Sequence, residues 1–93
     1  IILNDNGYGM IKWKQDAVGF PDFGLNFGNP DFVKYAESYG ATGHRVAVAE
    51  ELFKLLKDCF SQGGIHLIEV PIDYRENGRV FNQELKEKTC IAD

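Results

Sequence analysis

The chain has 93 residues, 44% of them hydrophobic and 26% charged, and a formal net charge of -4. This is material for one small core, and an acidic chain without a basic run disfavours nucleic acid as a partner. No apolar run approaches the roughly 18 residues of a membrane span, and two distant cysteines argue against a secreted disulfide scaffold. We expect a cytoplasmic protein without membrane or nucleic-acid partners.

The first predicted element is a buried strand at residues 1–4, which is apolar and has no initiator Met. This apolar beginning leads us to expect that the chain is a piece of a longer protein. The strand ends in the turn-forming cluster Asn4-Asp5-Asn6-Gly7. After it, residues 8–16 are predicted to form a short helix whose partly buried side chains are Met10, Ile11 and Trp13.

Residues 18–28 have the composition of an ordered irregular loop. Its three aromatic side chains are expected to pack on this domain or on a missing one: Phe20, Phe23 and Phe27. Residues 30–39 are predicted to form a helix with Asn29 as N-cap, Pro30 at the first helical position and Gly40 at the C-terminal cap. Its buried face is expected to consist of Phe32, Ala36 and Tyr39.

Farther along, Thr42 and Gly43 are predicted to turn the chain into a strand at residues 44–48, with Val46 and Val48 on one side. The strongest helical periodicity covers residues 49–62 and is closed by a Gly-Gly pair. The apolar face of this helix is predicted to consist of Ala49, Leu52, Phe53, Leu56 and Phe60. An apolar run at 65–72, ending near Pro71, predicts a strand covered on both faces. A short helix is expected near residues 82–88.

The order strand, helix, strand, helix, strand predicts an α/β fold, namely a partial three-layer domain with a mainly parallel sheet of about three strands and flanking helices. Ligands of such sheets bind beyond the carboxyl ends of the strands. The cluster at residues 4–7 follows one such end. It is therefore the first candidate for a functional site.

This cluster offers oxygen ligands of the kind that Mg²⁺ accepts: the carboxylate of Asp5, amide oxygens of Asn4 and Asn6, and a turned backbone carbonyl at Gly7. A plain tight turn would use the same residue types, and composition alone leaves both interpretations open. An EF-hand loop fails, because its register requires an oxygen ligand at Ile2 and a glutamate at Trp13. A dinucleotide-binding fingerprint would need a third glycine where Lys12 stands.

A family resemblance favours the metal site. The segment Ile2-Leu-Asn-Asp-Asn-Gly-Tyr-Gly-Met-Ile11 resembles the second half of the thiamine-diphosphate motif, whose first half, a Gly-Asp-Gly, lies upstream in the family. Downstream, Phe27-Gly-Asn-Pro-Asp-Phe-Val-Lys-Tyr-Ala-Glu-Ser-Tyr-Gly-Ala-Thr-Gly-His-Arg-Val46 and Ile68-Glu-Val-Pro-Ile-Asp-Tyr-Arg75 are similar to acetolactate synthases, most of all the catabolic type. The resemblance implies that residues 1–77 are the C-terminal part of a thiamine-diphosphate-binding domain and that 78–93 are a polar tail.

The resemblance also implies roles for individual residues. Asp5 would give a side-chain oxygen and Gly7 a backbone carbonyl to Mg²⁺, and an upstream aspartate would complete the protein ligands. Four residues would line the diphosphate and the centre of the cofactor, mainly through backbone groups: Asn6, Tyr8, Gly9 and Met10. The glutamate that activates the cofactor belongs to another domain in this family, so no catalytic residue is expected in this chain.

The parent protein would act on pyruvate, rely on other domains of the same chain and form a homo-oligomer. Whether it carries FAD is left open. Biosynthetic family members carry a channel tryptophan where this chain has Lys14, which weakens the biosynthetic interpretation. Two other interpretations stay open: another thiamine-diphosphate enzyme, of the pyruvate oxidase or benzoylformate decarboxylase type, and a non-enzymatic α/β module that binds a partner protein through exposed aromatics.

Structural roles are expected for the histidines and for the first cysteine. His44 and His66 each lie inside a predicted strand without a partner motif, which favours structural roles. Cys59 lies beside the apolar face of a predicted helix and is expected to be a small buried hydrophobe. Cys90 lies in the tail and predicts nothing.

Overall fold

The computed structural model of the chain describes residues 1–73, 75–76 and 79–89. Its strands and helices are β1 (Ile2–Asn4), α1 (Gly9–Ala17), α2 (Phe32–Ser38), β2 (Thr42–Arg45), α3 (Glu50–Gln62), β3 (His66–Pro71), a π-helical turn (Val80–Glu84) and α4 (Leu85–Thr89). Within the described residues, no helix has the length and apolar content needed to cross a membrane.

The chain divides into two compact units. The sheet unit comprises Ile1–Asn4 and Asn29–Ile72, and the loop unit comprises Asp5–Gly28 and Asp73–Asp93. The predicted domain boundary at 77 lies outside the described residues, as does Cys90.

The sheet unit is built on a parallel sheet with the strand order β1-β3-β2. Ile2 pairs with Glu69 at one side of β3, and His44 pairs with Ile68 at the other. Both pairs of strands are parallel, which confirms the predicted α/β fold class. The central strand β3 holds the two buried residues Ile68 and Glu69.

Side-chain alternation along the strands gives the sheet unit three layers. Ile68 is buried with Val46 and Cys59 in a cluster completed by apolar residues of α3. Gly43 faces the other way, because a Cβ at that position would come within 2.6 Å of Val33 Cα in α2. Successive residues of a strand point to opposite faces, so α2 and α3 cover opposite sides of the sheet.

Helix α3 follows the prediction closely. It spans Glu50–Gln62, begins after Ala49 and ends at Gly63, whose φ of 71° lies in the left-handed region that suits glycine. Its inner face packs through Leu52, Leu55, Leu56 and Cys59. Phe53 and Phe60, which were predicted on the buried face, are 71% and 85% exposed.

The starts of α2 and β2 each differ from the prediction by two residues. The N-cap of α2 is Asp31, whose carboxylate accepts hydrogen bonds from the N–H groups of Val33 and Lys34. The predicted N-cap was Asn29, two residues earlier. Asp31 caps the helix instead, because its carboxylate satisfies two N–H donors of the first turn. The predicted turn at Thr42 and Gly43 is instead the start of β2, since glycine here allows close helix–strand packing rather than a reversal.

Several apolar side chains are more exposed than predicted. Strand β1 is an edge strand and Leu3 is 64% exposed, so the predicted burial of this strand is wrong within the chain. Helix α2 ends before Tyr39, which is exposed, although Ala36 is buried as predicted. The side chains of Met10 and Ile11, predicted to be partly buried, are exposed as well. So are those of Phe20, Phe23 and Phe27, which were expected to pack on this domain or on a missing one.

In the loop unit, α1 holds the irregular segment 18–28 through polar contacts. Lys12 Nζ donates to Asp22 at 3.0 and 3.1 Å and lies 3.4 Å from Asp16. The Asp22 carboxylate, followed by Asp16, raises the pKa of Lys12. Phe20 N–H donates to the carbonyl of Gln15 at 2.9 Å. The predicted order of this loop therefore rests on hydrogen bonds and ion pairs rather than on burial of its phenylalanines.

Candidate functional site

The predicted oxygen cluster directly follows β1 and forms a tight turn. Asp5 Oδ1 accepts a hydrogen bond from the Gly7 N–H at 3.1 Å, the pattern of an Asx turn. Asn6 between them has a φ of 54°, a left-handed conformation that asparagine tolerates better than most residues. The turn and the metal-ligand interpretations are thus compatible, because the turn itself fixes the Asp5 carboxylate beside Gly7.

A short bridge determines which way the Gly7 backbone points. Gly7 pairs with Asn26 in an antiparallel bridge, and its two hydrogen bonds run from Tyr8 N–H to the Leu25 carbonyl (2.9 Å) and from Phe27 N–H to the carbonyl of residue 6 (3.0 Å). In this pattern the N–H and C=O of the central residue point away from the partner segment. The Gly7 N–H meets Asp5, so the Gly7 carbonyl and the Asp5 carboxylate lie on one edge of the loop.

Gly7 is required here for space. A Cβ on this residue would lie 3.0 Å from the Leu25 carbonyl oxygen and 3.5 Å from Asn26 Oδ1. The former separation is tighter than ordinary van der Waals contact, so a side chain would push the two segments of the bridge apart. The close approach of the two segments therefore favours glycine at this position.

The start of α1 supplies a second kind of group. Gly9 and Met10 are the first two residues of the helix, and N–H groups of a first turn have no acceptor within the helix. These N–H groups lie at the positive end of the helix dipole and can donate hydrogen bonds to phosphate oxygens. The N–H of Tyr8 is engaged by Leu25, and its ring packs against Phe27 with centroids 4.8 Å apart.

These residues fit a magnesium–diphosphate group by their chemistry. A half-buried carboxylate and a backbone carbonyl on one edge are hard oxygen donors, which Mg²⁺ prefers along with phosphate oxygens. The adjacent helix start offers donors to the diphosphate itself. Asp5, Gly7, Gly9 and Met10 are neighbours along the chain, and the structure places the first two in the turn after β1 and the last two at the start of α1.

At the carboxyl end of β1, the side chain of Asn4 belongs to a polar network of the sheet unit. Asn4 Nδ2 donates to Glu69 Oε1 at 2.7 Å, and Asn4 Oδ1 accepts from Asn29 Nδ2 at 2.7 Å. Glu69 Oε2 accepts from Arg45 Nε at 2.6 Å, and Arg45 also lies 3.7 Å from Asp31. The sequence gives no sign of this network, because its members are up to 65 positions apart.

The Glu69 carboxyl is buried and charged. Burial acts to raise its pKa, but hydrogen bonds from Arg45 and Asn4 together with the charge of Arg45 outweigh burial, and the pKa of Glu69 lies below its usual value. The side chain of Asn4, which precedes Asp5, is therefore held by a hydrogen bond to the ionised Glu69 carboxylate.

A further group was predicted to have only structural roles. His44 Nε2 lies 3.1 Å from His66 Nδ1 and 3.7 Å from Cys59 Sγ. Cys59 is buried in the apolar cluster as predicted. The two histidines, however, lie together beside it, which the predicted strand positions alone did not indicate.

Comparison with known proteins gives consistent matches. The family described as thiamine pyrophosphate enzyme, C-terminal TPP binding domain, matches residues 1–70. An acetolactate synthase of Bacillus subtilis is 36% identical over 95% of the chain, and a catabolic acetolactate synthase of Raoultella terrigena is 36% identical over 89%. A 2-succinyl-5-enolpyruvyl-6-hydroxy-3-cyclohexene-1-carboxylate synthase of Enterococcus faecalis is 32% identical over 94%. The chain spans only 15 to 16% of the length of these relatives.

Proposed function

This chain belongs to the family of C-terminal, thiamine pyrophosphate-binding domains of thiamine pyrophosphate enzymes, and from that premise we propose that it supplies half of a magnesium–diphosphate site. The observation that carries the proposal is the 3.1 Å hydrogen bond from the Gly7 N–H to Asp5 Oδ1. Together with the Gly7–Asn26 bridge, it implies that the Gly7 carbonyl lies on the same edge of the loop as the Asp5 carboxylate. That pair offers two hard oxygens to one cation. The resemblance assigns the third protein ligand to an aspartate in a Gly-Asp-Gly segment of the parent protein.

Within this half-site, each residue has a distinct task. Asp5 and Gly7 coordinate the ion, and Gly9 and Met10 donate backbone N–H groups to the diphosphate from the first turn of α1. Asn6 keeps the turn in its left-handed conformation. Tyr8, 54% exposed, is held against Phe27 and lines the central part of the cofactor.

For the parent protein we propose the condensation of two pyruvates to acetolactate with release of carbon dioxide. The similarity to acetolactate synthases, one of them named catabolic, supports this reaction. Thiamine diphosphate, when bound, supplies the carbon nucleophile. The chain's own contribution is binding and orientation, and it holds no catalytic acid or base. We therefore propose that the 93-residue chain alone is inactive.

A second enzymatic reaction has support of its own. The relative from Enterococcus faecalis carries a different synthase name at nearly the same coverage, so this part of the family is shared by enzymes with different substrates. The half-site residues bind the cofactor rather than the substrate, and they do not distinguish between the two reactions. Membership of an enzyme family removes the main support for a purely partner-binding module.

The half-site is tested by Asp5→Ala in the full-length parent protein, with Asp58→Ala, an exposed aspartate of α3, as the matched control. We expect Asp5→Ala to weaken Mg²⁺-dependent binding of thiamine diphosphate at least about tenfold in calorimetry, since it removes one ligand of the ion. The control should bind like the wild type. Unchanged binding in Asp5→Ala would refute the half-site.

The reaction is tested separately by incubating the parent with pyruvate and measuring acetolactate. Product formation by the parent and none by the isolated chain is the expected result. A parent that binds the cofactor but forms no acetolactate would overturn the reaction and leave the half-site standing. If the isolated chain bound Mg²⁺ with submillimolar affinity and Asp5→Ala abolished this binding, the chain would contain a complete magnesium site. That result would contradict the proposed half-site.

A further inference from the structure

The sheet unit contains three soft or borderline metal-ligand side chains side by side. His44 projects from β2, Cys59 from α3 and His66 from the start of β3. One ligand atom from each lies within 4.8 Å of the others. Three different elements therefore bring two imidazoles and a thiol to one point.

The hydrogen bond between His66 Nε2 and the Gly63 carbonyl determines which ring nitrogen of His66 carries the proton. His66 Nε2 lies 2.7 Å from the Gly63 carbonyl, and a carbonyl can only accept, so Nε2 carries a proton. In the neutral ring, Nδ1 then has its lone pair free to accept, and this atom faces His44 Nε2 at 3.1 Å. A ligating histidine held by a backbone carbonyl through its other nitrogen is the usual supporting arrangement of protein metal sites.

The separations are close to those of a tetrahedral ion. With usual zinc bond lengths, two ligating nitrogens lie about 3.3 Å apart and a nitrogen and a sulfur about 3.6 Å apart. The observed distances are 3.1 Å between the imidazole nitrogens and 3.7 Å between Cys59 Sγ and His44 Nε2. For the remaining pair, Cys59 and His66, the ligand atoms lie within 4.8 Å of each other.

We propose that His44, Cys59 and His66 form a binding site for a transition-metal cation of the zinc type. One thiolate and two imidazoles favour such ions over Mg²⁺, so this site is chemically distinct from the Asp5 and Gly7 half-site. Three protein ligands leave the fourth position to water or an external ligand. A cavity of about 250 Å³, lined by Cys59, His66 and apolar neighbours, gives the ion an approach.

Binding requires a defined change in protonation. The Cys59 thiol loses its proton to solvent, and His44 must present an unprotonated Nε2, so its ring proton moves to Nδ1 through exchange with water. The hydrogen bond between the two histidines is thereby replaced by two bonds to the ion. Metal binding should therefore release protons and weaken as the pH falls.

Co²⁺ is a suitable probe, because it binds sites built for zinc and absorbs visible light. Titration of the reduced, full chain under anaerobic conditions should give a thiolate-to-cobalt charge-transfer band and tetrahedral visible bands that saturate at one ion per chain. Zn²⁺ should abolish these bands, and excess Mg²⁺ should leave them unchanged. Absence of the charge-transfer band in folded wild-type chain would overturn the proposal.

The variants use the second cysteine as a matched control. Cys59→Ser should lose the charge-transfer band, whereas Cys90→Ser, the same substitution outside the described residues, should retain it. Because Cys59 is buried and its replacement can affect folding, the partly exposed His66→Asn provides a second arm, with folding checked by circular dichroism. We expect His66→Asn to weaken Co²⁺ binding at least about tenfold. A band that survives Cys59→Ser, or binding unchanged in folded His66→Asn, would refute the site.

Discussion

The buried carboxylate of Glu69 accepts one hydrogen bond at each of its two oxygens, and replacing Glu69 by glutamine should remove one of these two acceptors. Oε1 receives Asn4 Nδ2 at 2.7 Å and Oε2 receives Arg45 Nε at 2.6 Å, while the residue is only 4% exposed. In Glu69→Gln one oxygen remains, and the new amide NH₂ faces the other donor. A charge-assisted hydrogen bond contributes about 1.5–3 kcal/mol.

The expected loss in free energy of unfolding is therefore about 2 kcal/mol at neutral pH. The lower part of the range applies because the Arg45 side chain is 52% exposed and keeps Asp31 as a second partner, so water screens its contribution. The assay is urea denaturation of the full chain followed by circular dichroism. Glu37→Gln, an exposed glutamate of α2, is the matched control and should change stability by less than about 0.5 kcal/mol.

The same substitution has a signature in its pH dependence. The pKa of Glu69 is lowered in the folded chain, so its stabilising contribution is fully present above the unfolded pKa of about 4.3 and is lost as the pH falls through the lower, folded value. The difference between wild type and Glu69→Gln should therefore shrink below about pH 4. A difference no larger than that of the control, or one that stays constant through this range, would refute the reasoning.

Three other substitutions test the packing and the helix ends by the same denaturation assay. Gly43→Ala should destabilise the chain by about 3 kcal/mol, because its Cβ would lie 2.6 Å from Val33 Cα, whereas Gly28→Ala, with nothing within 4 Å, should be neutral or slightly stabilising. Equal effects of the two would contradict the close approach of α2 and β2. Asp31→Ala should cost about 1 kcal/mol through loss of the α2 cap, and Asp31→Asn should recover most of it. Gly40→Ala should cost about 1 kcal/mol because φ is 79°, and an unchanged urea midpoint would argue against the left-handed end of α2.

The elements that the sequence predicted well are those whose signal is local. Helix α3 spans Glu50–Gln62 within one residue of the prediction, because amphipathic periodicity and a closing Gly-Gly pair lie in one continuous segment. Strand β2 begins two residues and ends three residues earlier than predicted, so Val46 and Val48 lie outside it. Its sequence Thr-Gly-His-Arg lacks the apolar alternation that marks a strand. Its strand conformation is imposed by pairing with β3 and by the approach of Val33 to Gly43, which are tertiary facts.

Exposure was predicted less well than secondary structure. Phe60 is 85% exposed, although its helical spacing indicated burial. Phe23, which was expected to pack on this domain or on a missing one, is 84% exposed. A large apolar side chain in water is unfavourable by about 1.5–3 kcal/mol relative to burial, so we expect these residues to contact other parts of the proposed parent. The sequence pattern identifies an apolar face, but it does not indicate which part of the protein covers that face.

The two candidate sites differ in how much of them a sequence can reveal. The predicted half-site lies within residues 5–10, so its spacing is visible in the chain itself. The cluster of His44, Cys59 and His66 depends on the sheet register: His44 pairs with Ile68, and His66 lies two residues before that partner, so both histidines point to the α3 side. A slip of one residue would place them on opposite faces. The metal site proposed there is therefore a property of the β2–β3 register, and any variant that shifts this register should lose cobalt binding even with all three ligands intact.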